Sequence, residues 1–286
     1  MAGILHIVAT PIGNLEDITL RAIRIMKEDD VIAAEDTRVT RKLLSHFDIH
    51  TPMISYHQHS KGQRAEEILD LLREGKNVAL VSDAGTPGIS DPGHELIALC
   101  IGERIKIEPI PGATAIIAAV VVSGLSTSHF AFDGFPPRKE KERSAFFKSL
   151  KYDTRTLCFY ESPLRLLSTL KSMLKELGDR RIAVIREATK VFEEIFRGSI
   201  SESIERFTQT KARGEIVIVL QGASPEEATE HENPEISLDA RLIDLMEAGV
   251  SERDAVRQCM IEFKLPKRQV YATAIKLKGE EPSPSP

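Results

Sequence analysis

The residues VSDAGTPGISDPG, Val81 to Gly93, follow the apolar run Asn77-Val78-Ala79-Leu80-Val81 and precede His94-Glu95-Leu96-Ile97-Ala98-Leu99-Cys100. The run reads as a buried parallel strand, and the segment after the loop has helical periodicity. Gly85, Gly88 and Gly93 let the backbone approach a ligand, Pro87 and Pro92 stiffen the loop, and Asp83 and Asp91 add acceptors. A stiff loop at the carboxyl end of a strand is where open α/β sheets bind ligands. A tight structural connection is the plainer reading. The length of the loop and its relatives elsewhere in the chain favour a ligand loop.

Those relatives come earlier and later. Ile4 to Val8 reads as the first strand, followed by Ala9-Thr10-Pro11-Ile12-Gly13-Asn14-Leu15 and a helix from about Thr19 to Lys27. With one glycine, this loop matches neither GxGxxG nor the P-loop pattern, which excludes a standard dinucleotide or triphosphate site. Val31 to Ala34 is a second short strand, ending in Glu35-Asp36-Thr37-Arg38. These charges face a site, cap the next helix through Thr37 or Asp36, or do both. His57 and His59 have metal-ligand spacing but no third partner, and read as a solvated loop. A helix spans Gly62 to Glu74. A strand from Arg104 to Ile110 ends in Pro111-Gly112-Ala113-Thr114, which opens an apolar helix, Ala115 to Val122. Its bare N–H groups offer a second place where a ligand can touch backbone.

Ser123 to Ser128 reads as a boundary between domains 1–123 and 124–222. Strands are expected at Phe130–Phe135, Thr156–Tyr160, Ile182–Arg186, Glu193–Phe196 and Glu215–Leu220, with helices at Pro163–Leu177 and Ser201–Thr208. Pro136 to Lys151, PPRKEKERSAFFKSLK, carries six basic and two acidic residues. It reads either as a solvated helix face or as a phosphate-backbone contact. Residues 223–235 read as a polar, acidic linker. A helical appendage, 236–278, follows, with patterns at Leu238–Met246, Glu252–Phe263 and Lys267–Lys276. The short Lys264-Leu265-Pro266 connection suits a helix-turn-helix, and Phe263 to Lys278 holds five basic residues and no acidic one. Residues 279–286 read as a disordered tail.

The chain has 286 residues, 42% hydrophobic and 28% charged, with a net charge of −5. That suits a soluble globular chain of about two domains, whose nucleic-acid contacts must be local patches. No apolar run reaches the roughly 18 to 20 residues of a membrane helix. The N-terminus lacks the marks of a signal peptide. Cys100, Cys158 and Cys259 are isolated among apolar neighbours, as reduced cytosolic thiols are.

Taken together, TPIGNLEDIT (Thr10 to Thr19), AEDTR (Ala34 to Arg38), Val81 to Gly93, Pro111 to Ala115, Phe159-Tyr160-Glu161-Ser162-Pro163 and Arg186-Glu187-Ala188-Thr189-Lys190 resemble the tetrapyrrole methylase-like superfamily of S-adenosylmethionine (SAM) methyltransferases. Within it they resemble the ribosomal RNA small subunit methyltransferase I family, which 2′-O-methylates a cytidine of 16S ribosomal RNA at the decoding centre. The resemblance covers about residues 4 to 222. It implies two α/β domains of the tetrapyrrole methylase type, with SAM in the cleft between them, and a small helical appendage. It further implies cofactor contacts at Pro11, Asp83, Gly85, Thr86, Thr114, Ala115, Tyr160, Ala188 and Gly214. At Gly214 the sequence KARGE departs from the expected KGE. A cytoplasmic homodimer acting on 16S ribosomal RNA, in the small subunit or its assembly intermediate, is also implied, with no membrane partner.

Methyl transfer from a sulfonium is an in-line displacement in which the enzyme mainly positions reactants. A ribose hydroxyl needs a base or a charge that stabilises the developing alkoxide. Asp36 and Glu187 are candidate proton acceptors. Arg38 and Lys190 are candidates to stabilise negative charge or hold a phosphate. Each also reads as half of a structural ion pair. No catalytic metal is inferred. Other readings are methylation of a tetrapyrrole, a SAM- or nucleic-acid-binding regulator without turnover, and an assembly factor without chemistry.

Overall fold

The computed structural model describes residues 2–57, 61–232, 238–263 and 265–277. His59 of the H-x-H pair and the expected disordered tail lie outside them. The chain divides into two compact units, 1–222 and 223–286. None of its described helices is long and apolar enough to cross a membrane.

The first unit contains two five-stranded sheets. The first is built from β1 (Ile4–Val8), β2 (Val31–Ala34), β3 (Met53–Ser55), β4 (Val78–Val81) and β5 (Lys106–Ile110), in the order β3-β2-β4-β1-β5. Every pairing in it is parallel. All four residues of β4 are buried, as a parallel strand covered on both faces requires. Helices α1 (Leu20–Glu28), α2 (Thr37–His46), α3 (Lys61–Arg73) and α4 (His94–Gly102) supply the covers. One face buries Met26, Ile25 and Leu44 against Val8 and Ile32. The other buries Ile68, Leu69, Leu96 and Cys100 against Leu5 and Leu80.

The second sheet holds β6 (Phe130–Phe132), β7 (Thr156–Glu161), β8 (Arg181–Arg186), β9 (Glu194–Ser199) and β10 (Ile216–Leu220), in the order β6-β7-β10-β8-β9. Only β6 and β7 pair in parallel; the other three pairings are antiparallel. Helices α6 (Glu140–Ser149), α7 (Leu166–Leu177) and α8 (Ile200–Gln209) cover one face through Phe147, Leu170, Met173 and Phe207. The expected strand to Phe135 stops at Phe132, although the Asp133 N–H still donates to the Cys158 carbonyl (3.1 Å) and the Gly134 carbonyl accepts from the Tyr160 N–H (2.9 Å).

Helix α5 (Ala115–Ser123) belongs to the second sheet. Its Ile116, Ala119 and Val120 lie in one core with Cys158, Ala183, Ile185, Val217 and Val219. The expected boundary at 123/124 follows α5 in sequence, but the packing places the helix across that boundary. An apolar run with no polar face cannot announce which sheet it will cover.

In the second unit, residues 225–232 of the expected linker form a helix, α9 (Pro225–Glu232). Ser224 starts it with a reciprocal cap: its N–H donates to Glu227 Oε2 (2.9 Å) and its hydroxyl accepts from the Glu227 N–H (3.2 Å). Helices α10 (Leu238–Glu247), α11 (Glu252–Glu262) and α12 (Lys267–Leu277) share a core of Leu242, Leu245, Val256, Cys259, Val270 and Ala274. Ser251 caps α11 through the Asp254 N–H (3.3 Å).

Candidate active site

Because all strands of the first sheet run the same way, the loops after β1, β2, β4 and β5 share one edge. The β1 and β4 loops hold each other. The Thr10 N–H donates to the Gly85 carbonyl (2.9 Å), the Gly85 N–H to the Thr10 carbonyl (3.1 Å), and the Thr10 hydroxyl to the Ser82 carbonyl (3.1 Å). The end of β2 is tied to the end of β4. The Asp36 N–H donates to Asp83 Oδ1 (3.0 Å), and the Asp83 N–H to Glu35 Oε2 (3.4 Å). The glycine-rich loop is thus braced from both sides.

The second sheet meets this edge with the ends of β7 and β8 and the start of β10. Antiparallel pairing sets Ile216 beside both Glu161 and Arg186, which gathers residues far apart in the chain. The two halves close on each other at Gly13. A Cβ there would lie 2.4 Å from Lys190 Cγ and 2.9 Å from the Ala188 carbonyl oxygen. Beside it the Asn14 N–H donates to the Thr189 hydroxyl (3.2 Å).

Between the sheets lies a cavity of about 430 Å³, within the range of small-molecule pockets. Its lining mixes Ile12, Ile89, Ile185 and Val217 and the Phe135 and Tyr160 rings with the carboxylates of Glu35, Asp83, Asp91 and Glu215. Eight of the nine residues expected at the cofactor line it: Asp83, Gly85, Thr86, Thr114, Ala115, Tyr160, Ala188 and Gly214. Pro11 does not. It is buried beside the Thr10–Gly85 bridge, where it stiffens the loop that presents Ile12.

None of the three residues expected to be catalytic is part of the lining. Asp36 caps α2, accepting from the Arg38 N–H (2.8 Å), and binds the Arg38 guanidinium (2.6 Å). This pairing holds the Asp36 carboxyl well below the usual range and raises Arg38. Glu187 accepts from the Glu215 N–H and from Lys190 Nζ, both at 2.9 Å, which lowers its carboxyl as well. It fills the space above Gly214, where a Cβ would meet the Glu187 carboxyl at 2.2 Å. With φ at +79° as well, any other residue there is both strained and in the way of Glu187, which explains Gly214 although its flanking sequence departs from the expected pattern. The ion-pair reading, left open by the sequence, is the one this geometry supports for Asp36, Arg38 and Glu187.

The carboxylates that do face the cavity behave in the opposite way. Burial, then the nearby Glu35 charge, pushes Asp91 up to about 6. Burial raises Glu35 too, with help from the Asp83 and Asp36 charges, and it raises Asp83, with help from Asp36. Tyr160 is pushed up to about 12 by burial and by Asp91. In the sequence Asp91 stands out only as a loop acceptor, Glu35 only as one of four polar residues at the end of β2, and Phe135 and Glu215 only as strand residues. The second Asp of the glycine loop was an available signal for Asp91. For Glu35 against Asp36 the turn out of β2 decides, and no pattern in AEDTR encodes it. Glu161 lines the cavity but is spoken for. It accepts from the Thr169 hydroxyl (2.5 Å) and the Ser162 N–H (2.7 Å) and lies 3.3 Å from Arg165 Nη2.

Residues 4–204 match the family model described as Tetrapyrrole (Corrin/Porphyrin) Methylases. The chain is 48% identical to a ribosomal RNA small subunit methyltransferase I from Synechocystis sp., over 97% of this chain and 99% of the relative. A Bacillus subtilis protein of the same name is 44% identical over 94% of this chain and 93% of its own. A third, from Thermotoga maritima, is 50% identical over 220 residues, which make up 77% of this chain and 99% of that protein. In three dimensions the fold resembles a cobalt precorrin-4 methyltransferase of cobalamin biosynthesis, with TM-score 0.59 and 21% identity over 76% of this chain and 94% of that one. It also resembles a diphthine synthase, with TM-score 0.60 and 13% identity over 80% and 94%. The motifs, the paired sheets and these matches agree, and the chain belongs to the tetrapyrrole methylase family and, within it, to the ribosomal RNA small subunit methyltransferase I family.

Proposed function

We propose that this chain transfers a methyl group from SAM to the 2′-oxygen of a cytidine ribose in 16S ribosomal RNA, in the small subunit or its assembly intermediate. The observation that carries the reading is the acidic cavity where eight expected cofactor residues converge. SAM is the methyl donor of this family. Its apolar adenosine and cationic sulfonium and ammonium groups suit a lining that pairs Ile12, Ile185, Val217 and Tyr160 with Glu35, Asp83 and Asp91. Backbone at Gly85, Thr86, Ala115, Ala188 and Gly214 would hold it. When bound, it supplies an electrophilic methyl group.

The chain's own part is positioning, charge and proton removal. Glu35 and Asp83 provide a negative field that favours a cation in the cavity. Asp91, raised to about 6, is the cavity carboxylate whose basicity best matches a general base near neutral pH. It would accept the ribose proton while the methyl carbon passes from sulfur to the 2′-oxygen, the S–CH3 bond breaking and S-adenosylhomocysteine leaving as the neutral thioether. Asp36 and Arg38 serve from the rim, where the Asp36 N–H orients Asp83. Glu187 shapes the Gly214 turn. Tight fitting of the two loops at Gly13 limits water entry from that side.

The same reading places the enzyme in the cytoplasm as a homodimer. Exposed basic residues on α12, Lys267, Arg268 and Lys276, suit an auxiliary RNA contact. We assign the principal RNA contact to the first unit, a reading supported by a Thermotoga relative of the same family name that 220 matched residues, 77% of this chain, fill to 99%. The test is incubation with labelled SAM and unmethylated small subunits, followed by nuclease mapping. Label on one ribose 2′-oxygen is expected. Tight SAM binding with no label on RNA would overturn the substrate assignment.

A further inference from the structure

Phe135 stands at the mouth of the cavity with 55% of its surface exposed. Large exposed aromatics at a cavity mouth are costly to leave in water and are well shaped to meet a planar partner. One side of the ring leans on Tyr160, with centroids 5.5 Å apart and planes tilted by 57°. The backbone on both sides is tied down. The Gly134 carbonyl accepts from the Tyr160 N–H (2.9 Å). Arg165 Nη2 donates to the Pro136 carbonyl (2.5 Å) and reaches the Pro137 carbonyl (3.3 Å). Pro136 is itself buried. Arg165 in turn rests on the buried Glu161 carboxylate. An exposed ring on so firmly held a turn has little freedom left to lose on binding.

Directly after this turn come Arg138, Lys139 and Lys141, all exposed. Arg143, although part of the same basic run, is 6% exposed and donates to the Ser172 hydroxyl and the Arg138 carbonyl, both at 3.0 Å. It therefore fastens α6 to α7 and anchors the basic turn instead of meeting solvent. The result is a fixed aromatic plane at the cavity mouth with cations beside it on one stiff stretch of chain. Single-stranded RNA is bound by this combination, bases stacking on aromatic rings and phosphates meeting cations.

We propose that Phe135 is a stacking platform for a nucleobase of the RNA strand, either the target cytosine or its neighbour, and that Arg138 and Lys141 receive the adjoining phosphates. The proposal rests on the RNA-methylation reading above. It assigns the outer face of the cavity to the polymer and the interior to the small cofactor.

The experiment compares wild type with Phe135→Ala, Phe135→Leu and Phe135→Tyr, using unmethylated small subunits and SAM. KM for the subunits, kcat, and SAM affinity by equilibrium binding are measured for each. Loss of one stacked base is worth roughly 1–3 kcal/mol, about 5- to 150-fold, and a ring already leaning on Tyr160 belongs toward the lower end, near tenfold in KM. Phe135→Ala and Phe135→Leu should both raise the subunit KM about tenfold, Phe135→Tyr should stay near wild type, and SAM affinity should not change. A Phe135→Leu enzyme equal to wild type would show apolar packing without stacking and overturn the proposal. So would an unchanged KM in Phe135→Ala, or a matching loss of SAM affinity, which would assign the ring to the cofactor. Each of those outcomes leaves the RNA-methylation reading intact. Failure of the wild type to label RNA removes that reading, and this proposal with it.

Discussion

Two groups of carboxylates flank the cavity, and their surroundings separate them. Asp36 and Glu187 sit against Arg38 and Lys190, accept backbone N–H bonds, and are held below the usual carboxylate range. Glu35, Asp83 and Asp91 line the cavity, are partly stripped of water, influence one another, and are all raised. The first group is satisfied by the fold. The second carries negative charge for which the fold supplies less compensation, the condition that favours a bound cation and raises carboxylate basicity. Glu161 is also satisfied by the fold, with a fully buried side chain supplied with a hydroxyl, an N–H and a guanidinium.

The largest break in this contrast is expected from Asp91→Asn. Removing a general base costs about 10²- to 10⁴-fold in kcat. The wild-type kcat/KM should rise with pH through about 6 and flatten above it, and the variant should lose that rise. Stability should move the other way. The Asp91 pKa in the fold lies above its ordinary 3.8. Between about pH 4 and 6 the native chain therefore holds more protons than the unfolded chain, and stability falls as pH rises through that window. Asp91→Asn escapes this loss, so its Tm should gain on wild type from pH 4 to 6 and hold the gain above. A variant that is both fully active and no more stable would erase the distinction between the two groups.

Next comes Arg165→Leu, which leaves the buried Glu161 carboxylate without its cation. Breaking one side of a buried pair costs about 3–5 kcal/mol, here toward the lower end because Thr169 and Ser162 remain. Urea unfolding measures it. A loss below about 1 kcal/mol would mean that Glu161 is satisfied without Arg165.

A smaller effect is expected at Glu187→Gln. The amide keeps an acceptor for the Glu215 N–H but weakens the bond to Lys190. Tm should drop by a few degrees and methyl transfer should stay within a few-fold of wild type. A loss of several hundredfold would move Glu187 into the catalytic group. The smallest effect belongs to Arg38→Ala. Its side chain is 85% exposed, and exposed pairs add little. Unchanged Tm and a less than threefold change in SAM affinity are expected by calorimetry and equilibrium binding. A large loss of SAM affinity would show that the Asp36–Arg38 pair acts on the cofactor directly.

The two sheets differ in how much of the site was legible. In the first sheet, all-parallel strands put every carboxyl end at one edge, so each strand-loop-helix motif read from sequence was already a statement about the site. Asp83, Gly85, Thr86, Thr114 and Ala115 all line the cavity. In the second sheet the neighbours of β10 are β7 and β8, a pairing that no local pattern states. Tyr160, Ala188 and Gly214 were reached only through resemblance, and Phe135 and Glu215 were missed. Helix α5 shows the same limit, since AIIAAVVVS has no polar face to orient it.

By itself the sequence determined four of the first sheet's five strands, the loops at their carboxyl ends, the glycines that permit close approach and the family to which these belong; Met53–Ser55, read as part of a solvated loop, is the edge strand that it did not announce. These follow from local stereochemistry and from burial periodicity, which act within a few residues. Tertiary structure decided which of two adjacent carboxylates, Glu35 or Asp36, faces the cavity, which acids find a cation, and where Phe135 points. Those outcomes depend on solvation and on partners tens to more than a hundred residues away, such as Asp83 for Asp36 or Thr189 for Asn14. Distance along the chain carries no record of them until the two sheets close.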